Sequence, residues 1–288
     1  MPRRRALLLA SLALPAPALA QARPLRIIVP FAPGGSGDIT ARLVGRHIEA
    51  TTGQPVAIDN RPGANGVIGT MAVKAAAPDG LTLLLATSSS HSANPSLVRD
   101  LPYDPERDFI GIGFFASNGA YLMVRPEAPW RDVPALVTAA KARPGQMFFG
   151  HFNASSRLPG EMLNLMAGTQ VQGVPYRTIG AAFSDLIAGR LDMIFVDTTA
   201  GDAYLAQGQT RALALTAPRR WARWPELPVM AETWPDYHLT GFLGLAVPGR
   251  HAAPGGGAAE HPRQRGRTGG TRPQPHARIR PRPAGAQP

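Results

Sequence analysis

Near its start the chain repeats one local pattern, a short apolar run, a glycine-rich turn and a helical spacing of apolar residues. Leu25-Arg26-Ile27-Ile28-Val29 leads through Pro30-Phe31-Ala32-Pro33-Gly34-Gly35-Ser36-Gly37-Asp38 into Ile39, Leu43, Val44 and Ile48, with Gly53 past the helix end. Val56 to Asp59 leads through Asn60-Arg61-Pro62-Gly63-Ala64-Asn65-Gly66 into a helical stretch from Val67 to Ala77. Strands alternating with helices pair in parallel, and the sheet they make is covered on both faces. Ligands of such sheets sit outside the carboxyl ends of the strands, where these turns lie. The first N–H groups of a helix lack intrahelical partners and carry the positive end of its dipole, which suits an anion. Glycine also serves such turns for its dihedral freedom alone, so a purely structural role stands beside the anion-binding one.

The pattern continues. Leu81 to Ala86 empties into Thr87-Ser88-Ser89-Ser90-His91-Ser92, and Asp108 to Phe115 and Tyr121 to Val124 are strand-like. Met147 to Gly150 leads into His151-Phe152-Asn153-Ala154-Ser155-Ser156 and a helix, followed by the short strand Gln172 to Pro175 and the helix Ala181 to Ala188. Leu191 to Val196 ends at Asp197-Thr198-Thr199, and Arg211 to Thr216 and Gly241 to Val247 complete the order. Expected are a first lobe over 21–124 with 225–249 returning to it, a second lobe over 125–224, and a cleft between them.

Charge and cysteine usage narrow the function. The net charge of +11 would ordinarily point to nucleic acid, but its location argues against that. Arg3, Arg4 and Arg5 lie at one end and eight arginines against Glu260 lie within 250–288, so the stretch between is close to neutral. No nucleic-acid partner is expected, and a monomer is. The chain has no cysteine, which excludes disulfides, thiolate metal sites and a cysteine nucleophile. No histidine pair has ligand spacing, so neither metal nor cofactor is expected. Residues 1–20 read as a secretory signal: a basic start, an apolar run from Ala6 to Leu14, and the small-x-small site Ala18-Leu19-Ala20, with cleavage near Ala20 and a periplasmic destination.

Several separate segments resemble the solute-binding proteins of the tripartite tricarboxylate transporters, the Bug or TctC family. The first is Val29-Pro30-Phe31-Ala32-Pro33-Gly34-Gly35 with Asp38, Ala41 and Arg42, and the second is Asn60 to Gly66 with Ile68-Gly69. Others are Pro78-Asp79-Gly80-Leu81-Thr82-Leu83-Leu84, Leu101-Pro102-Tyr103-Asp104-Pro105, Val174-Pro175-Tyr176-Arg177 and Asp185-Leu186-Ile187-Ala188-Gly189, in family order. The resemblance spans about residues 24 to 248. It implies a type II periplasmic-binding-protein-like α/β fold, two lobes closing on a carboxylate ligand for delivery to membrane transporter subunits, or to a sensor. Carried over onto this chain, the implied ligand contacts are Phe31, Gly34, Gly35, Ser36 and Asp38 in loop one and Ala64, Asn65 and Gly66 in loop two, with Ser88, Ser89, Ser155, Ser156 and Asp197 as further candidates.

The chain departs from the family's usual pattern at Thr178-Ile179-Gly180 and at Phe242, where tryptophan is frequent. Asp38 has two readings, a helix cap or the partner of a ligand ammonium group. A secreted hydrolase is the alternative function: Gly34-Gly35-Ser36-Gly37-Asp38 approximates a nucleophile elbow but ends in Asp38 where glycine belongs. His91 and His151 could pair with neighbouring serines. Past Gly249 the composition changes, with Ile279 the only large apolar residue among Pro, Gly and Arg, and no packed core is expected there. That composition is what GC-rich DNA yields when read out of frame. A frameshift would leave apolar surface uncovered on the first lobe.

Overall fold

The computed structural model describes residues 23–249; the expected signal segment and the basic stretch 250–288 lie outside the described residues. In chain order the elements are β1 (Leu25–Val29), α1 (Ser36–Thr52), β2 (Val56–Asn60), α2 (Val67–Lys74), β3 (Thr82–Thr87), α3 (Asn94–Leu97), β4 (Phe109–Asn118), β5 (Ala120–Val124) and α4 (Val133–Ala142). There follow β6 (Phe148–His151), α5 (Ala154–Ala167), β7 (Gln172–Pro175), α6 (Ile179–Ile187), β8 (Met193–Asp197), α7 (Thr198–Ala206), β9 (Arg211–Leu215) and β10 (Gly241–Pro248).

These strands build two five-stranded sheets, ordered β2-β1-β3-β10-β4 and β7-β6-β8-β5-β9. Each holds three parallel strands flanked by an antiparallel neighbour, β10 in the first and β5 in the second. The reason β1 reads as an apolar run is visible in its packing. Ile27 and Val29 join the core under α1 while Ile28 joins the core under α2, so successive residues are buried on opposite faces. The second sheet repeats this, with Leu122 and Phe195 facing the core that holds Leu136 and Leu163, and Tyr121 and Val196 facing Phe183 and Leu186.

Two segments sit in the other lobe from the one expected. Strand β5, assigned by the sequence reading to the first lobe, pairs with β8 and β9 in the second sheet. Only Gly119 separates it from β4, and nothing local to two adjacent apolar strands states which sheet each will join. Of the returning segment, only β10 reaches the first sheet. Val229 bridges to Leu215, and Tyr237 is fully buried in the second core with its hydroxyl donating to Pro159 O at 2.6 Å. Thr216 fastens the two crossings together: its Oγ1 accepts the Ala120 N–H at 2.8 Å and donates to Leu239 O at 2.8 Å. At the edge of the first sheet, Ile112 and Phe114 of β4 are 54% and 67% exposed.

Candidate functional site

The carboxyl ends of all six parallel strands open on one cavity of about 800 Å³. From the first lobe come loop one after β1, loop two after β2 and the serine-rich turn after β3. The second lobe contributes the segments after β6, β7 and β8, and Thr216, Leu239 and Phe242 line the crossing.

Loop one is held from behind. Asp38, 5% exposed, accepts the Gly34 N–H at 3.0 Å and pairs with the Arg42 guanidinium at 3.0 Å. Burial alone would raise its pKa, but Arg42, the Gly34 N–H and Asn60 outweigh it and hold the carboxyl below the usual range. Asn60 also donates to Phe31 O at 3.1 Å, tying loop one to the end of β2. Asp38 and Gly34 therefore stand behind the cavity wall and not in it. The Gly34 N–H is spent on Asp38, and neither the capping nor the ammonium reading describes a carboxylate that stitches its own loop.

Loop two carries backbone strain. Gly63, Ala64, Asn65 and Gly66 all have positive φ, of which 47° at Ala64 and 54° at Asn65 cost non-glycine residues about 1 to 2 kcal/mol each. Gly66 cannot be replaced freely, since an added Cβ would lie 3.1 Å from Phe31 Cζ. The loop is pinned by Asn94, whose Nδ2 donates to Asn65 O at 3.0 Å and to the Tyr103 hydroxyl at 3.0 Å; Tyr103 in turn donates to Ser90 O at 2.6 Å.

How the helices begin differs between the lobes. In α1 and α2 the N-cap positions are Gly35 and Gly66, with no side-chain cap. The second lobe caps every helix that faces the cavity. Asn153 accepts from the Ser156 N–H at 2.8 Å, Thr178 from the Ala181 N–H at 3.3 Å and Asp197 from the Ala200 N–H at 3.1 Å. Burial pushes the Asp197 carboxyl up, an effect the Ala200 N–H and the facing Ser36 hydroxyl only partly oppose.

The structure thus brings Phe31, Gly35, Ser36, Ala64, Asn65, Gly66, Ser88, Ser89, Ser155, Ser156 and Asp197 around one cavity, and Gly34 and Asp38 do not line it. Three of the serines spend their hydroxyls on each other: Ser155 Oγ lies 2.9 Å from Ser88 Oγ and 2.8 Å from Ser89 Oγ across the cleft. The Ser156 hydroxyl is occupied by the Phe152 and Asn153 N–H groups. His91 Nδ1 does pair with Ser90 Oγ at 2.9 Å, but His91 lines a separate depression beside Phe109 and Phe114, and Ser90 does not line the cleft. Burial lowers its pKa to about 4. Wall residues that the sequence reading did not name as contacts include Phe152, Tyr176, Arg177, Ile179 and Phe242. The signal for Tyr176 and Arg177 was present, because they follow β7 as loop one follows β1. Among the described residues no three metal-binding side chains converge, and no helix is long and apolar enough to cross a membrane.

Two α/β lobes joined by crossing strands around an interlobe cavity define a solute-binding protein of the periplasmic type. The sequence model of the tripartite tricarboxylate transporter family receptor matches residues 40–253, and the chain belongs to that family. It is 34% identical over 231 residues to protein BugT of Bordetella pertussis, covering 79% of this chain and 71% of that one. Rpa4515 of R. palustris with adipate superposes with a TM-score of 0.76 at 30% identity, over 78% of this chain and 76% of that one. MatC from Rhodopseudomonas palustris with bound malate gives 0.75 at 27% identity, over 80% and 79%.

Proposed function

We propose that this chain captures a small carboxylate in the interlobe cleft and delivers it to membrane transporter subunits in the periplasm, without covalent chemistry. The observation that carries the reading is the meeting at one cavity of two glycine-rich loops whose following helices, α1 and α2, have no side-chain cap at Gly35 and Gly66. The start of α1 offers a carboxylate its first-turn N–H groups and helix dipole, while at the start of α2 the Gly66 and Val67 N–H groups already donate to Gly63 O and Ala64 O. The carboxylates bound by the relatives Rpa4515 and MatC support it. Isothermal titration against a panel of small carboxylates tests it. Saturable one-to-one binding is expected, and a panel in which nothing binds overturns the reading. Loss of uptake on deleting the gene tests the delivery step.

A further inference from the structure

The serine-rich turn after β3 divides its hydroxyls between two tasks. Ser90 builds the turn itself: its Oγ accepts the Thr87 N–H at 3.1 Å and donates to Thr87 O at 3.1 Å. Among the described residues, the side chains of Ser88 and Ser89 make no hydrogen bond within their own lobe, and both reach Ser155 in the first turn of α5 in the other lobe. The Ser155 N–H has no helical carbonyl to bond, because it lies in that first turn, and Ser89 Oγ accepts it at 3.1 Å. A side chain of one lobe thus caps a helix of the other.

Each of the three serines has one hydroxyl proton to give. Ser89 is 1% exposed, and Ser155 Oγ at 2.8 Å is the one acceptor its hydroxyl meets among the described residues, so its proton goes there. The contact between Ser155 Oγ and Ser88 Oγ at 2.9 Å uses one more. The remaining proton has no partner in the cluster. It sits on Ser88 or Ser155, and both line the cavity. We infer that Ser88, Ser89 and Ser155 form a latch that holds the two lobes together and leaves one O–H donor for an acceptor atom of the bound solute. The donor role rests on the capture reading above, and the latch itself does not.

Amide hydrogen exchange on the full chain without added solute, read by nuclear magnetic resonance, tests the latch. The neighbouring Ser156 N–H is bonded within its own lobe, to Asn153 Oδ1 at 2.8 Å, and serves as the reference. Ser88→Ala leaves the Ser89 acceptor of the Ser155 N–H in place. It is nevertheless expected to speed exchange at Ser155 about fivefold or more relative to Ser156, because the lobes part more often. An unchanged ratio in the folded variant overturns the latch. Calorimetry with whichever of adipate, malate and phenylacetate binds the unsubstituted chain tests the donor. The double variant of Ser88→Ala with Ser155→Ala removes both hydroxyls that could carry the spare proton. More frequent opening alone weakens affinity by no more than the factor by which exchange at position 155 rises, so a loss about threefold or more beyond that factor is expected. A loss within that factor overturns the donor role. If none of the three probes binds, the donor role falls, and the exchange ratio still decides the latch on its own.

Discussion

The two lobes share a strand plan and differ in what begins their helices. In the second lobe Asn153, Thr178 and Asp197 supply side-chain caps that the helices of the first lobe lack at Gly35 and Gly66. A capped helix start is more stable by about 1 kcal/mol, because the cap satisfies one of its unpaired N–H groups. An uncapped one forgoes that stabilisation and recovers it on binding, by mass action. The contrast teaches that two lobes built on one strand plan can finish their helix starts by different means, backbone turns in one and side-chain caps in the other.

The sharpest attempt to break this comparison is at the residue that keeps loop one in place. Asp38→Ala is expected to cost about 2 to 3 kcal/mol in chemical denaturation, since it removes charged hydrogen bonds to Gly34 and Arg42. It should also weaken ligand binding more than tenfold, although Asp38 does not line the cavity; unchanged affinity would show that loop one holds its shape without it. Comparable in size is a pH effect to which His91 of the first lobe contributes, alongside His151 of the second, whose pKa burial also lowers. His91 is neutral when folded, with a pKa lowered from 6.5 to about 4, so the unfolded chain takes up a proton first as pH falls. Its contribution is complete above pH 6.5 and is lost between there and about pH 4, on the order of 3 kcal/mol. Melting curves across that range should show the loss, and His91→Gln should reduce it, leaving the part due to His151.

Smaller still is the cap difference itself. Asn153→Ala should destabilise by about 1 kcal/mol, whereas Ser36→Ala, at a helix start with no side-chain cap, should change stability by less than about 0.5 kcal/mol. Equal costs would erase the contrast between the lobes. The finest test converts one lobe toward the other. Gly35 has φ of −83° and ψ of 170°, an extended geometry suited to a capping side chain, and an added Cβ would meet nothing closer than Ala32 O at 4.0 Å. Gly35→Asn should therefore raise stability by a few tenths of a kcal/mol while weakening carboxylate binding, because the new side chain competes for the same N–H groups. A gain in both would refute the loop assignment.

Much of this architecture was legible locally. Leu25 to Val29 and Leu81 to Ala86 read as strands because burial on both faces demands unbroken apolar runs, and the glycines of loops one and two mark turns whatever lies around them. Asp38 and Asp197 were equally visible and equally ambiguous. A carboxylate near a helix start looks the same in sequence whether it stitches its own loop, as Asp38 does through Gly34 and Arg42, or caps a helix facing the cavity, as Asp197 does. The serines are legible as loop residues but their use is not, since Ser155 meets Ser88 and Ser89 across 67 and 66 residues of chain.

By itself the amino-acid sequence determined the repeated strand, turn and helix, hence parallel sheets with loops gathered at the strand ends, because those properties depend on residues a few positions apart. Tertiary structure alone decided that β5 belongs to the second sheet, that Val229 to Tyr237 packs there too, and which hydroxyls, carboxylates and N–H groups remain unspent at the cleft. Each of these depends on a pairing between distant segments, and a donor's availability is known only once every competing acceptor has taken its place.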